Sequence, residues 1–186
     1  MKKYIVIVFF IFLPAWCMAE ENDLKRLFSL NIKYLITGLK NSGGGIGVHY
    51  ERLFFQYVSL KGGLGHMVFK TSLDGVGCTS INLSLFLHVY PFGEGLNKWY
   101  FGLGNGTDFM SYFGSAPLPE TGKDTVIYLT PCTGYKLFCF KYIICDFNIG
   151  YRFNIANSNN YYTIKEYLNP GVQFNVSVNI LLSKIW

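Results

Sequence analysis

Three histidines, five cysteines and a small set of charged side chains are the groups in this chain that could do chemistry. Nucleophilic catalysis needs a base within hydrogen-bond reach of its nucleophile. His66 has Ser72 and Ser80 as the nearest serines at its level, and neither stands at a close His–Ser spacing. His49 and His88 have no serine motif beside them either. No catalytic residue is therefore expected. Metal binding needs His or Cys at closer spacing than Cys78, Cys132, Cys139 and Cys145 offer, so neither a metal nor another cofactor is expected. The runs Gly63-Leu64-Gly65 and Gly102-Leu103-Gly104-Asn105-Gly106 lack the Gly-Lys-Ser/Thr that completes a phosphate loop. Glycine at period two instead marks a crowded strand face.

What remains is ion pairing. Lys33, His49, Glu51, Lys61, Asp108, Lys136, Asp146 and Arg152 all fall in segments where apolar and polar residues alternate. Side chains of a strand point to opposite faces in turn, so alternation gives each segment one oily and one polar side. Eight segments read this way. They begin near Phe28, Ile46, Val58, Ile81, Trp99, Ile127, Ile143 and Val172, the sixth interrupted by Pro131. In the last, Val172, Phe174, Val176, Val178, Ile180 and Leu182 oppose Gln173, Asn175, Ser177, Asn179 and Ser183. The polar sides carry Asn, Ser and Gly more than Lys and Glu, which points to an enclosed space and not open water. A turn centred on Gln56 sets Glu51 across from Lys61, and one centred on Lys141 sets Lys136 across from Asp146. Opposite charges at such positions attract, and His49, Asp108 and Arg152 are placed to extend the network.

The bulk numbers agree. The chain has 186 residues, 51% hydrophobic and 18% aromatic, with only 15% charged, against about a quarter in soluble domains. Residues 1–19 have the three parts of a secretory signal: Lys2 and Lys3, an apolar run from Tyr4 to Leu13, and small residues before an acidic sequence. Cleavage is expected after Ala19, leaving residues 20–186 as one β-barrel domain. Acylation at Cys17 is the lesser alternative, since Trp16 sits where a small residue is wanted. Removing Lys2 and Lys3 takes the net charge from +5 to 5 − 2 = +3. With no Lys/Arg run, nucleic acid is not an expected partner. Export permits disulfides. Cys139 and Cys145 flank one turn on a shared face, diagonally offset, and a bridge there is allowed but not favoured over free thiols facing lipid or turns.

The connections also alternate. Those near Phe55-Gln56, Gly93 to Asn97 and Phe140-Lys141 read as short, and those at Gly38 to Gly45, Lys70 to Thr79, Gly114 to Thr125 and Ala156 to Asn169 as longer. Aromatics gather at both ends: Phe54, Phe55, Tyr57, Phe92, Trp99, Phe138, Phe140, Tyr142 and Trp186 at the first, and Tyr112, Phe113, Tyr151, Phe153, Tyr161 and Tyr162 at the second. Outer-membrane barrels have such girdles, with short inner turns and longer external loops.

The stretch His88-Val89-Tyr90-Pro91-Phe92-Gly93, followed by Trp99-Tyr100-Phe101-Gly102-Leu103-Gly104, resembles a signature of small bacterial outer-membrane β-barrel proteins. The last strand, ending on Trp186, resembles their closing strand, where the terminal aromatic is an assembly signal. Lys184 departs from that signal, in which an apolar residue is usual; a long Lys near a strand end can snorkel. The resemblance implies an all-β fold, a closed up-and-down antiparallel transmembrane barrel of about eight strands in the bacterial outer membrane. It also implies outer-membrane lipid and the barrel-assembly machinery as partners, and carries over no catalytic residue. Together these readings predict a structural or surface-interaction role with a mostly filled lumen and an unassigned partner at the external loops. A narrow transporter for small hydrophobic molecules is the alternative, and a lipid-modifying enzyme a lesser one.

Overall fold

In the computed structural model, residues 26–37, 41–55, 57–70, 77–92, 98–113, 121–140, 143–157 and 170–182 are described. They form eight strands: β1 (Arg26–Thr37), β2 (Asn41–Phe55), β3 (Val58–Lys70), β4 (Gly77–Val89), β5 (Lys98–Phe113), β6 (Thr121–Phe140), β7 (Ile143–Asn157) and β8 (Gly171–Leu181). Each pairs antiparallel with the next, and β1 pairs with β8 from Leu27↔Leu181 to Thr37↔Gly171, closing the barrel. Full closure removes the unpaired edges an open sheet would expose. Arg26 and Leu182 meet at one end, where the Leu182 amide donates to the Arg26 carbonyl at 2.8 Å. We call that end proximal and the other distal.

Burial is inverted relative to a soluble domain. Leu30, Ile32 and Ile46 are 60%, 65% and 70% exposed, while Glu51, Asp108 and Lys136 are fully enclosed. An apolar outer surface this continuous far exceeds the patches a soluble monomer shows. The alternation read from the sequence thus sorts side chains as expected, oily outward and polar inward.

Three expectations about boundaries need correction. Gly43, Gly44 and Gly45 are not in a loop. They pair with Leu35, Tyr34 and Lys33 on one side and Phe69, Val68 and Met67 on the other. A Cβ at Gly43 would lie 2.4 Å from the Phe69 ring, and one at Gly45 would lie 2.7 Å from Met67 Cγ. These glycines are seats for large inward side chains, and a glycine run in sequence does not distinguish a seat from a break. The first connection shrinks to 38–40, while the one after β4 spans 90–97, so the alternation of short and long connections is less regular than expected. Finally, β6 starts at Thr121 and runs through Pro131. Proline has no N–H to donate, and the β6–β7 ladder lacks pairs for Thr130 and Pro131 but resumes at Cys132↔Gly150 in the same register.

Exposed aromatics stand at the proximal rim, among them Phe55, Tyr57, Phe92, Trp99, Phe138 and Phe140; Tyr151 and Phe153 lie toward the distal end. Residues 1–19 with the Ala19 cleavage site, Tyr142, Tyr161, Tyr162, Lys184, Trp186 and most of the expected external loops lie outside the described residues, as do the side chains of Tyr112 and Phe113.

Candidate functional site

The barrel interior gathers the groups singled out in the sequence. It is layered. Leu27, Leu53, Tyr90, Tyr100, Ile144 and Leu181 form a buried apolar cluster at the proximal end. Leu35, Met67, Phe69, Cys78, Met110 and Val126 form another at the distal end. The charged groups lie between them. Both clusters are apolar residues at inward positions near strand ends, and that was the signal available in the sequence for finding them.

The proximal charged layer holds Glu51, Lys61, Lys136 and Asp146. In the ladders Glu51 stands across from Lys61 and Lys136 across from Asp146, the register expected from the turns. The ion pairs, however, exchange partners. Lys136 Nζ donates to Glu51 Oε2 at 2.5 Å and Lys61 Nζ donates to Asp146 Oδ2 at 3.1 Å. Both contacts join residues on different, non-adjacent strands across the lumen. A lysine stem is long enough to cross a narrow barrel, so the nearest backbone neighbour is not the nearest charge.

Neutral groups complete this layer, and sequence reading had not assigned them a role. Glu51 Oε1 accepts from Ser59 Oγ at 2.5 Å and Tyr90 Oη at 2.8 Å, with His88 Nδ1 at 3.1 Å. Lys136 Nζ also donates to Tyr90 Oη at 2.7 Å and lies 5.3 and 5.2 Å from the Tyr90 and Tyr100 ring centres. Tyr100 Oη donates to Asp146 Oδ1 at 2.8 Å. The tyrosines serve two layers, with rings in the apolar cluster and hydroxyls among the charges.

The distal charged layer is sparser. Asn82 Nδ2 donates to Asp108 Oδ1 at 2.6 Å and to Tyr128 Oη at 2.5 Å, while its Oδ1 accepts from Lys33 Nζ at 3.0 Å. Arg152 Nη1 reaches Asp108 Oδ2 at 2.5 Å, an ion contact without hydrogen-bond alignment, and its guanidinium lies 3.9 Å from the Tyr128 ring centre. The Arg152–Asp108 pair is therefore separate from the four-charge group. His49 joins neither; its Nε2 lies 3.3 Å from Ser84 Oγ and its Nδ1 has no hydrogen-bond partner among the described residues.

That contact corrects an expectation. A His–Ser approach does exist, between residues whose separation in sequence hides it. No carboxylate orients His49 through Nδ1, so the arrangement lacks the third group that a nucleophile–base pair relies on. Between the layers is a cavity of about 20 Å³, counted as the space a water centre can occupy, lined by Lys33, Lys61, His49, His88, Phe86 and Tyr100 among others. That volume suits one or two waters, not an organic substrate. Large side chains lie over glycines of the neighbouring strand. A Cβ at Gly104 would fall 2.2 Å from the Phe86 ring, and one at Gly106 would fall 2.3 Å from Tyr128 Oη.

The cysteines divide. Cys139 and Cys145 lie at the proximal end, exposed and half-buried, whereas Cys78 and Cys132 are buried. The last two face inward, against the expectation of lipid-facing thiols, because both fall in phase with inward residues of their strands. Among the described residues no group of three or more His, Cys, Asp or Glu side chains could hold a metal ion.

No protein-family model matches the chain, and no curated protein matches it. Solved structures do. The N-terminal β-barrel domain of Pseudomonas aeruginosa OprF is 9% identical, covering 85% of this chain and 97% of that chain, with a TM-score of 0.50. Ail, the attachment invasion locus protein of Yersinia pestis, is 9% identical over 85% of this chain and 96% of its own, also at 0.50. Neisserial surface protein A is 12% identical over 86% and 97%, at a TM-score of 0.46. The first two likenesses show the fold: a closed antiparallel barrel like those of small bacterial outer-membrane proteins. At such identities no residue role is transferred.

Proposed function

We propose that this chain is an integral protein of the bacterial outer membrane, with a filled lumen and a structural or surface-interaction role. One observation carries the reading: burial is inverted, with apolar side chains outward on all eight strands and charged ones enclosed. Lipid is the solvent for which that surface is stable, since a closed barrel also leaves no unpaired strand edge in hydrocarbon. A buried apolar cluster toward each end of the lumen supports a plug over a channel. Export through the signal at residues 1–19 and assembly through β8 and Trp186 belong to this proposal, as does an unidentified partner at the distal loops. Ail carries an attachment role in its name, consistent with an outward-facing task here.

The test is made on protein from isolated outer membranes. Boiled and unboiled samples should migrate differently on a denaturing gel, because a folded barrel resists detergent until heated. A protein extracted by carbonate, or one that migrates the same either way, would overturn the membrane reading. Liposome conductance then separates plug from pore: background-level current is expected, and stepwise current would favour the transport alternative instead.

A further inference from the structure

Cys139 and Cys145 end β6 and begin β7 around the turn at 141–142. In an unbroken ladder Cys145 faces Leu137, and Cys139 would stand one diagonal away, opposite Ile143. The structure departs from that pattern. Pairing passes from Phe138↔Ile144 to Phe140↔Ile143, leaving Cys139 as the extra residue of a β-bulge. A bulge re-aims the side chains beside it. Here it swings the Cys139 thiol over its neighbour, to a Sγ–Sγ distance of 3.1 Å. That is about one ångström beyond a covalent S–S bond of ~2.05 Å. Cys139 is exposed and Cys145 partly so, among the exposed Phe138 and Phe140. Cys78 and Cys132 are buried free thiols.

We propose that Cys139 and Cys145 are joined by a disulfide that clasps the β6–β7 hairpin at the proximal rim. This rests on export, because disulfides persist in oxidising compartments. The oxidant is a disulfide, either of a thiol oxidoreductase or of a small molecule. Cys139, the more exposed thiol, loses its proton and attacks one sulfur of the oxidant, releasing the other as a thiolate. The Cys145 thiolate then attacks Cys139 Sγ in the mixed disulfide, forming the Cys139–Cys145 bond and releasing the oxidant's second thiolate. Two electrons and two protons end on the oxidant's two sulfurs, now both thiols. The bond fixes the bulge and protects both thiols from irreversible oxidation.

The test uses the full chain in two preparations, one purified from outer membranes and one refolded in detergent with oxidised glutathione, each alkylated without reductant. Trypsin cuts after Lys136, Lys141 and Arg152, so the bond would join two peptides, 137–141 and 142–152. Mass spectrometry should find them linked and two hydrogens lighter than their sum, separating on reduction. Cys139→Ser should leave Cys145 alkylated, while a Cys78→Ser/Cys132→Ser double variant should keep the link. Two alkylated peptides from either preparation, or a bond to Cys78 or Cys132, would overturn the inference. Heat-modifiable migration of the refolded sample is read in parallel. Free thiols in a heat-modifiable protein would sink the disulfide alone, whereas loss of heat modification would sink the membrane reading.

Discussion

The proximal layer of the lumen sets two lysines against two carboxylates, Lys61 and Lys136 against Asp146 and Glu51, with three further groups on Glu51 Oε1. Its distal counterpart holds Lys33 and Arg152, with Asp108 in ion contact with Arg152 and Asp124 buried nearer the distal end. Lys33 Nζ has Asn82 Oδ1 at 3.0 Å and no carboxylate within 4 Å among the described residues. The same enclosed space therefore holds one network of close ion pairs and one in which Lys33 is held by a neutral amide. Removing charges from water is costly, and only close partners with good geometry offset the cost. The proximal layer should act as a brace between β2, β3, β6 and β7, and the distal layer should tolerate change more readily.

Substitution of Glu51 puts that contrast to its hardest test. Glu51→Ala strips Lys136 of its carboxylate and leaves Ser59, Tyr90 and His88 without their shared acceptor, so the barrel should lose about 3–5 kcal/mol. Urea unfolding of the variant in lipid bilayers would measure the loss, and a change under 1 kcal/mol (roughly the worth of one ordinary hydrogen bond) would dismiss the brace. The parallel change in the distal layer, Asp108→Asn, should cost less, about 1.5–3 kcal/mol. Arg152 there retains the Tyr128 ring and the Asn154 side chain, to which its Nε donates at 2.9 Å. If Asp108→Asn proved the costlier of the two, the ranking of the layers would be reversed.

A double-mutant cycle sharpens the comparison inside the proximal layer. Glu51 and Lys136 should couple by about 0.5–3 kcal/mol, and Glu51 with its ladder neighbour Lys61 by clearly less. Equal coupling would mean that the pairs do not exchange partners. Lys33→Met should have the smallest effect, within about 1 kcal/mol of the parent. It removes an enclosed charge without a carboxylate partner and leaves Asn82 Oδ1 short of one donor. A loss comparable to that of Glu51→Ala would show that Lys33 has a partner of its own.

Much of this was legible in the sequence. The strand set, the inward placement of all eight charged or histidine residues, and the ladder register of Glu51 with Lys61 and of Lys136 with Asp146 follow from alternation and turn position, while closure of the last strand on the first is what the resemblance implies. Misreadings arose where one residue type serves two purposes. Gly43 to Gly45 read as a break but seat Phe69 and Met67. Pro131 read as weakening a strand, yet β6 continues through it with a local gap on the β7 side. His88, Tyr90, Tyr100, Asn82 and Tyr128 were missed as network members because their partners lie far away in sequence.

The division has a physical cause. Strand geometry fixes side-chain direction at a period of two residues, so an oily and a polar face are properties of short stretches that any reader of the sequence can recover. Facing strands joined by tight turns inherit their register from the turn, which is also local. Contacts across the lumen have no such rule. They depend on closure of β1 onto β8, which sets β2 opposite β6 and β3 opposite β7, and on side chains long enough to span the gap. The sequence alone determined a barrel with a polar interior. Only the tertiary structure decided that Lys136 belongs to Glu51, that apolar clusters gather toward both ends, and that one bulged residue brings Cys139 against Cys145.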